Sequence, residues 1–218
     1  MIWLSRLKLH PRDPLVLRDV GDWTQLHRTV MSAFPQHDGP TPRAHFGVLF
    51  RVEPRAGAEP PVVLVQSQVE PDWSSLPEGY TLACDVRDAS ALLDTAVPGG
   101  QFAFRLTANA TKKVAALPGD TAVRKHSARV ALLAEDAQLD WLQRRAALAG
   151  FSAESQDIRV SQLAPTGGSG RSAVTVQPVQ FDGRLTVEDP DAFKGALRDG
   201  IGPAKAYGCG LLSLARPR

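Results

Sequence analysis

The order in which strand-like and helix-like segments follow one another constrains the fold of this chain more than any other feature. In the first half, short alternating runs of apolar and polar residues predict strands, and two runs with helical spacing predict helices. The resulting order, β-α-β-β-α-β, is typical of a ferredoxin-like unit with two helices on one face of an antiparallel sheet. The predicted strands are 2–9, 46–52, 62–69 and 102–106, and the predicted helices are 22–34 and 90–96.

The second half repeats this order less regularly. Its clearest segment is a helix over 135–149, where Leu139, Leu142 and Ala146 form an apolar stripe and Gly150 ends the helix. Because 218 residues are enough for two small domains, we predict an α+β protein of two tandem ferredoxin-like domains, residues 1–110 and 111–218. The remaining predicted elements are strands over 129–133, 158–163, 173–187 and 211–215 and a short helix over 191–198.

The charge of the chain is distributed unevenly. The formal net charge is only +2, and so small an excess does not by itself indicate a nucleic-acid partner. The stretch from 112 to 129, however, predicts a basic face, with a chance clustering of charges as the alternative. Its five basic residues are Lys112, Lys113, Arg124, Lys125 and Arg129, against the single acid Asp120.

Cysteine usage and the N-terminus indicate the cellular compartment. Cys84 and Cys209 lie far apart, without the Cys or Cys/His spacing of a zinc site. We therefore expect a reduced, cytoplasmic protein that binds neither a metal nor a cofactor. The apolar run at the N-terminus is too short for a signal peptide, and no stretch approaches the roughly 20 apolar residues that cross a membrane, so we expect no membrane partner.

A glycine-rich segment near the C-terminus, Gly200 to Leu212, surrounds the single lysine Lys205 with four glycines. Glycine tolerates positive φ and close approach of a ligand, and consecutive N–H groups in such a loop can bind an anion. The segment is therefore suited to hold phosphate, with a helix C-cap and a tight turn into an edge strand as the alternative. A second glycine-rich segment, 167–172, resembles a phosphate loop but lacks the lysine of that motif.

Five histidines are candidates for acid–base chemistry, because imidazole titrates near neutral pH. His27 is the most informative, because it lies inside the first predicted helix, four residues after Trp23 and at the border of the apolar stripe. It is either a catalytic acid or base, or a histidine at the edge of the core with one hydrogen bond.

Several blocks of the sequence carry a resemblance to a known family. They are QLH at 25–27, AFP at 33–35, FRLTAN at 104–109, WLQR at 141–144, FDGRLT at 181–186, GIGPAK at 200–205 and GCGLLSL at 208–214. Over nearly its whole length the sequence resembles the CasE family, CRISPR-associated endoribonucleases that cut repeat RNA in type I-E systems and remain in the Cascade complex. The block at 200–214 is the most specific.

The resemblance implies two tandem ferredoxin-like, RRM-related domains and metal-independent cleavage of a CRISPR repeat hairpin. In that reaction the ribose 2′-hydroxyl attacks the neighbouring phosphate, which leaves 2′,3′-cyclic phosphate and 5′-hydroxyl ends. The general acid or base of the family corresponds to His27. The charge of the phosphorane can be stabilised by lysine, arginine or backbone donors; Lys205 and Arg159 are candidates for this role, which no motif assigns. We expect a monomer when free, which binds the hairpin in precursor and mature RNA and joins the other Cascade subunits.

One position departs from the family pattern. Family members often carry a tyrosine three residues before the histidine, and this chain has Thr24 there. Threonine cannot supply a phenol, so either His27 works with another donor, for which Tyr207 is a candidate, or the enzyme cuts slowly.

We expect the protein to bind the RNA through contacts of basic residues with phosphates and through the glycine-rich loop at 200–212. The predicted RNA-binding residues are Arg105, Lys112, Lys113, Arg124, Lys125, Arg171, Gly200, Gly202, Lys205 and Gly208. Two other functions stay open. One is a subunit that binds the hairpin without cutting it, which the absent tyrosine favours, and the other is a ferredoxin-like protein-interaction domain without an RNA partner.

Overall fold

The first half of the chain folds into an antiparallel four-stranded sheet in the order β2-β3-β1-β4. A computed structural model describes residues 1–54, 57, 59–114, 128–167 and 175–217. The first and third strands are central, as in a ferredoxin-like unit, because the helices between β1 and β2 return the chain to the sheet edge. The elements are β1 (Trp3–Leu9), α1 (Pro14–Gly21), α2 (Trp23–Met31), α3 (Pro42–His45), β2 (Leu49–Val52), β3 (Val62–Ser67) and β4 (Thr81–Asp88).

The second half repeats the same strand order, with its main sheet arranged β13-β5-β12-β8 and β9 also pairing with β12. Two shorter antiparallel pairs, β6–β7 and β10–β11, extend from this unit. Two tandem ferredoxin-like units are thereby confirmed. The elements are β5 (Gln101–Ala108), β6 (Thr111–Val114), β7 (Ala128–Ala131), α4 (Glu135–Leu148), β8 (Phe151–Ser152), β9 (Arg159–Gln162), β10 (Thr166–Gly167), β11 (Thr175–Val176), β12 (Val179–Val187), α5 (Pro190–Asp199) and β13 (Leu212–Ala215).

The pairing of β5 differs from the predicted domain division at residue 110. β5 pairs with β12 and β13, so it opens the second unit instead of closing the first. The fourth strand of the first unit is β4, which the sequence analysis missed although Leu82, Cys84 and Val86 alternate with more polar neighbours. The apolar pattern of a strand does not reveal which sheet it joins. We therefore propose a boundary within residues 89–100, between β4 and β5.

The first unit also lacks the second helix of the predicted pattern. Between β3 and β4 the chain forms only a short 3-10 helix, Trp73–Ser75, and the predicted helix at 90–96 is a 3-10 helix, Ser90–Thr95, in the connection to β5. Because no full helix covers this side of the sheet, nearly every residue of β4 is exposed. Across the described ranges, no helix has both the length and the apolar character needed to cross a bilayer.

Two apolar cores lie under the two sheets, and a charged network joins the units. Arg51 of β2 is only 2 % exposed, pairs with Glu53 at 2.6 Å, and lies 3.4 Å from the carbonyl oxygens of Arg105 and Leu211. Gln66 of β3 donates to the carbonyl oxygen of Leu197 at 2.6 Å. Buried polar groups that are satisfied across an interface fix the relative placement of two units, because an unpaired alternative is costly.

Candidate functional site

Helix α2 presents His27 at one edge of its buried face. The carboxylate of Asp22 accepts the N–H of Thr24 at 2.9 Å and so begins the helix. Leu26 and Val30 are buried in the first core. His27, half-buried beside this stripe, stacks over Phe50 of β2, with ring centroids 6.3 Å apart and an angle of 20° between the planes. As the helical spacing predicts, His27 lies at the border of the apolar stripe, and its side chain is partly exposed.

The surroundings of His27 keep its imidazole neutral. Burial, followed by the positive charges of Arg43 and Arg28, lowers its pKa from 6.5 to about 4. The Nδ1 atom is buried and has no hydrogen-bond partner among the described residues, so the expected single hydrogen bond at a core edge is absent there. At neutral pH a neutral imidazole can accept a proton at one ring nitrogen, and because Nδ1 is buried, that role would fall to Nε2.

The glycine-rich segment packs directly beside this helix. Its 3-10 helix, Lys205–Tyr207, contacts α2 and β2. At Gly208, where φ is +69°, a Cβ atom would lie 3.0 Å from the ring of Trp23 and 3.3 Å from Phe50. Only glycine allows the loop to approach the aromatic neighbours of His27 this closely. The segment places the 3-10 helix that contains Lys205 against α2, and no bound anion is needed to explain this glycine.

The start of the same segment is a helix C-cap, which was the alternative explanation of its glycines. Gly200 ends α5 with φ of +76°, and its N–H donates to the carbonyl oxygen of Ala196 at 2.9 Å. Gly202 has φ of +81°, and a Cβ atom there would lie 3.0 Å from the ring of Trp141. These two glycines therefore have clear packing reasons, and a direct role in RNA binding stays a prediction.

Arg43 is the residue of this region that sequence reasoning missed. It lies in the four-residue helix α3, is half-buried, and donates from Nη1 to the carbonyl oxygen of Val48 at 3.0 Å. Its charge acts on both His27 and Lys205, and burial followed by the charge of Arg43 lowers the pKa of Lys205. Arg43 has no sequence pattern that marks it, because its proximity to His27 arises only when the segment after α2 folds back.

Arg43 and Lys205 are two partly buried cations without a close carboxylate. Among the ion pairs of the described residues, none joins either side chain to an acidic oxygen within 4.0 Å. Asp199 acts on both only as a weaker opposing charge. Desolvated cations that repel each other are unfavourable unless an anion joins them, so the geometry is suited to a phosphate group.

The β6–β7 pair carries a second group of basic residues. Lys113 of β6 lies opposite Arg129 of β7, and Lys112 lies opposite Val130. All four of these side chains are exposed. Like charges directly opposite in a sheet are destabilising, and phosphate groups bound there would relieve that repulsion. The predicted RNA-binding residues Arg124, Lys125 and Arg171 lie outside the described residues, as does most of the loop that follows Gly167.

The structure separates the other predicted site residues into two groups. Thr24, one helical turn before His27, and Tyr207, in the 3-10 helix that contacts α2, belong to the same region as the histidine. Arg159 does not: it lies on β9 opposite Asp182, in a cleft lined by Arg184 and Arg216, and no residue of α2 lines that cleft. A role of Arg159 at the phosphate beside His27 is therefore not supported.

Arg105 is engaged in the network between the two units. Its Nε atom lies 2.6 Å from Asp182, and its Nη1 atom lies 3.0 Å from Glu53. Burial alone would lower the pKa of Arg105, but the bonds and charges of these two carboxylates raise it overall. With both partners in place, Arg105 joins the sheets, and the structure does not favour the predicted contact with RNA.

Comparisons with known proteins agree over most of the chain. A family model described as CRISPR associated protein matches residues 2–216. The chain is 35 % identical over 225 residues to the CRISPR-associated endoribonuclease Cse3 of Thermus thermophilus, covering 98 % of this chain and 100 % of that protein. It is 34 % identical over 202 residues to the CRISPR system Cascade subunit CasE of Escherichia coli, covering 89 % and 92 %. The solved structure of Thermus thermophilus Cse3 bound to an RNA representing a pre-cleavage complex matches with a TM-score of 0.78 and 37 % identity, over 98 % of each chain.

Proposed function

The chain belongs to the family of CRISPR-associated proteins, and on that premise we propose that it is the endoribonuclease that cuts CRISPR repeat hairpins in precursor RNA. After cleavage it keeps the mature RNA and serves as a subunit of Cascade, the assembly named for the Escherichia coli relative. This function places the protein in the cytoplasm, where the precursor is made.

One observation carries the proposal: the charge of Arg43 acts both on a neutral, partly exposed imidazole and on Lys205, and among the described residues neither cation pairs with a carboxylate. Cleavage of RNA without a metal needs a group that removes the proton of the 2′-hydroxyl. It also needs positive charge where the phosphorane becomes more negative. His27 supplies the first, and Arg43 with Lys205 supplies the second.

The reaction proceeds as an internal transfer at one phosphate. Nε2 of His27 takes the proton of the 2′-hydroxyl, and the 2′-oxygen forms a bond to phosphorus. The bond between phosphorus and the 5′-oxygen breaks, and that oxygen takes a proton from solvent. The products are a 2′,3′-cyclic phosphate and a 5′-hydroxyl end. A positioned base contributes typically 10²–10⁴-fold to such a step, about 3–5 kcal/mol of the barrier.

Binding of the hairpin draws on the β6–β7 pair as well as on the site. Lys112, Lys113 and Arg129 contact backbone phosphates of the stem, which relieves their mutual repulsion. The deep, narrow major groove of A-form RNA hides most base edges, so the shape of the stem contributes to the choice of substrate. Arg124, Lys125 and Arg171 extend this basic surface as predictions from the sequence.

A subunit that holds the hairpin without cutting it is the second candidate, and Thr24 favours it, because threonine replaces the tyrosine often found in the family. Single-turnover cleavage in EDTA, with protein in excess over the repeat hairpin of the same locus, distinguishes the two. We expect wild type to produce a cyclic-phosphate end and His27→Ala to lose cleavage with RNA affinity kept within a few-fold. His10→Ala, which removes a histidine remote in sequence from α2, is the matched control.

Binding without any cleavage by the wild type would instead establish the non-catalytic subunit. Equal loss of binding and cleavage in His27→Ala would show that His27 is structural, and the catalytic proposal would then fail.

A further inference from the structure

The buried carboxylate of Asp19 accepts a hydrogen bond from the edge of α2 that lies opposite His27. Asp19 of α1 is fully buried, and its Oδ2 atom accepts the hydroxyl of Thr29 at 2.6 Å and the hydroxyl of Tyr80 at 2.8 Å. Its Oδ1 atom is paired with Arg18, whose Nη2 lies 2.6 Å away. Both oxygens of Asp19 are therefore occupied, and one of its bonds reaches the helix that carries the catalytic candidate.

Helix geometry indicates that this hydrogen bond restrains rotation of α2 about its own axis. Thr29 follows His27 by two residues, which places the two side chains about 160° apart around the helix axis. The buried residues Leu26 and Val30 lie between them. His27 and Thr29 thus occupy the two edges of the buried stripe, so fixing the hydroxyl of Thr29 restrains rotation of the helix about its own axis.

We propose that Asp19, acting through its hydrogen bond to Thr29, is a positioning residue that holds His27 in the orientation required for cleavage. A side chain at the rim of a helix lies roughly 6 Å from the axis, so a roll of about 10° displaces it by about 1 Å. A displacement of that size is enough to reduce catalysis by about 10²-fold. No atom of Asp19 touches the RNA in this arrangement. The inference rests on the proposed function of the same site.

The test uses variants that change one hydroxyl each. Thr29→Val keeps the volume and branching of threonine but cannot donate, and Thr29→Ser keeps the donor. Tyr80→Phe removes the other hydroxyl from the same carboxylate oxygen, but Tyr80 precedes β4 and is not part of α2. For each variant, the single-turnover rate at saturating protein, the hairpin Kd and the melting temperature are measured.

We expect Thr29→Val to cleave at least tenfold more slowly than wild type with Kd within threefold, and Thr29→Ser to recover most of the rate. Tyr80→Phe should lower the melting temperature comparably and keep the rate within threefold of wild type. A wild-type rate in Thr29→Val would overturn the proposal. So would equal rate losses in Thr29→Val and Tyr80→Phe, since both would then follow stability. A wild type that does not cleave contradicts the proposed function itself, a result distinct from either of these.

Discussion

Lowering the pH from 7.5 to 5.5 should leave the cleavage rate almost unchanged, because His27 stays neutral over that range. Burial and the charges of Arg43 and Arg28 lower its pKa from 6.5 to about 4. At pH 5.5 an imidazole with a pKa of about 4 is about 97 % neutral, whereas one with an ordinary pKa is about 9 % neutral. A base of ordinary pKa would therefore lose roughly tenfold in rate, and His27 should lose only a few per cent.

The assay is single-turnover cleavage with protein below its Kd, because the apparent second-order rate constant reports ionisation of the free protein. An NMR titration of the free protein, with the His27 signal identified by its loss in His27→Gln, gives the pKa directly. Arg43→Gln removes a positive charge that disfavours the imidazolium, so it should raise the pKa of His27. On acidification, the cleavage rate of this variant should therefore begin to fall at a higher pH than that of wild type. A wild-type midpoint near 6.5, or a tenfold loss of rate at pH 5.5, would refute this account of the site.

The same pKa makes stability depend on pH with a defined sign. Above the unfolded pKa of 6.5, His27 is neutral in both states, and between 6.5 and about 4 only the unfolded chain takes up the proton. The free energy of unfolding should therefore fall as the pH falls through that window. The loss is at most about 3 kcal/mol, and smaller because the ring is partly exposed to solvent. In urea titrations at pH 7 and 4.5, His27→Gln should show the smaller fall, and equal falls would contradict the shift.

Three further predictions test other parts of the molecule. Lys113→Ala and Arg129→Ala should each weaken hairpin binding and reduce the slope of log K against log salt by about one, as measured by filter binding at several salt concentrations; unchanged slopes would exclude phosphate contacts. Gly208→Ala should lower the free energy of unfolding by about 1–2 kcal/mol and slow cleavage, because the φ of Gly208 is +69°. The control Gly195→Ala, whose added Cβ would meet no atom within 4 Å beyond its neighbours and its own helix backbone, should leave that free energy unchanged or raise it in the same urea titration. Arg51→Ala should lower the free energy of unfolding by about 1–3 kcal/mol, because it removes one of the two cations that bind Glu53 and takes the donor from the carbonyl oxygens of Arg105 and Leu211; a loss below about 0.5 kcal/mol would contradict that role.

Some residues of the candidate site could be predicted from the local sequence, and others are brought to it only by folding. His27 could be singled out because its position in α2 follows from helical spacing, and Lys205 because glycines surround it. Arg43 could not, since a lone arginine in a four-residue helix has no pattern. Arg105, predicted to bind RNA, pairs with Glu53, just after β2, and with Asp182 of β12. Because both carboxylates lie far from it in the chain, the sequence could not reveal these ion pairs.

By itself, the sequence determined the elements whose burial repeats with a local period: β1, α2, β3, α4, α5 and the strand character of β5. Their order was enough to predict two ferredoxin-like units. Only the tertiary structure decided that β5 belongs to the second sheet and that β4 is the fourth strand of the first. It also decided that Thr29 of α2 donates a hydrogen bond to Asp19 of α1. The physical reason is range: periodicity records which face of one element is buried, whereas strand partners, charge pairs and buried hydrogen bonds depend on residues brought together only by the complete fold.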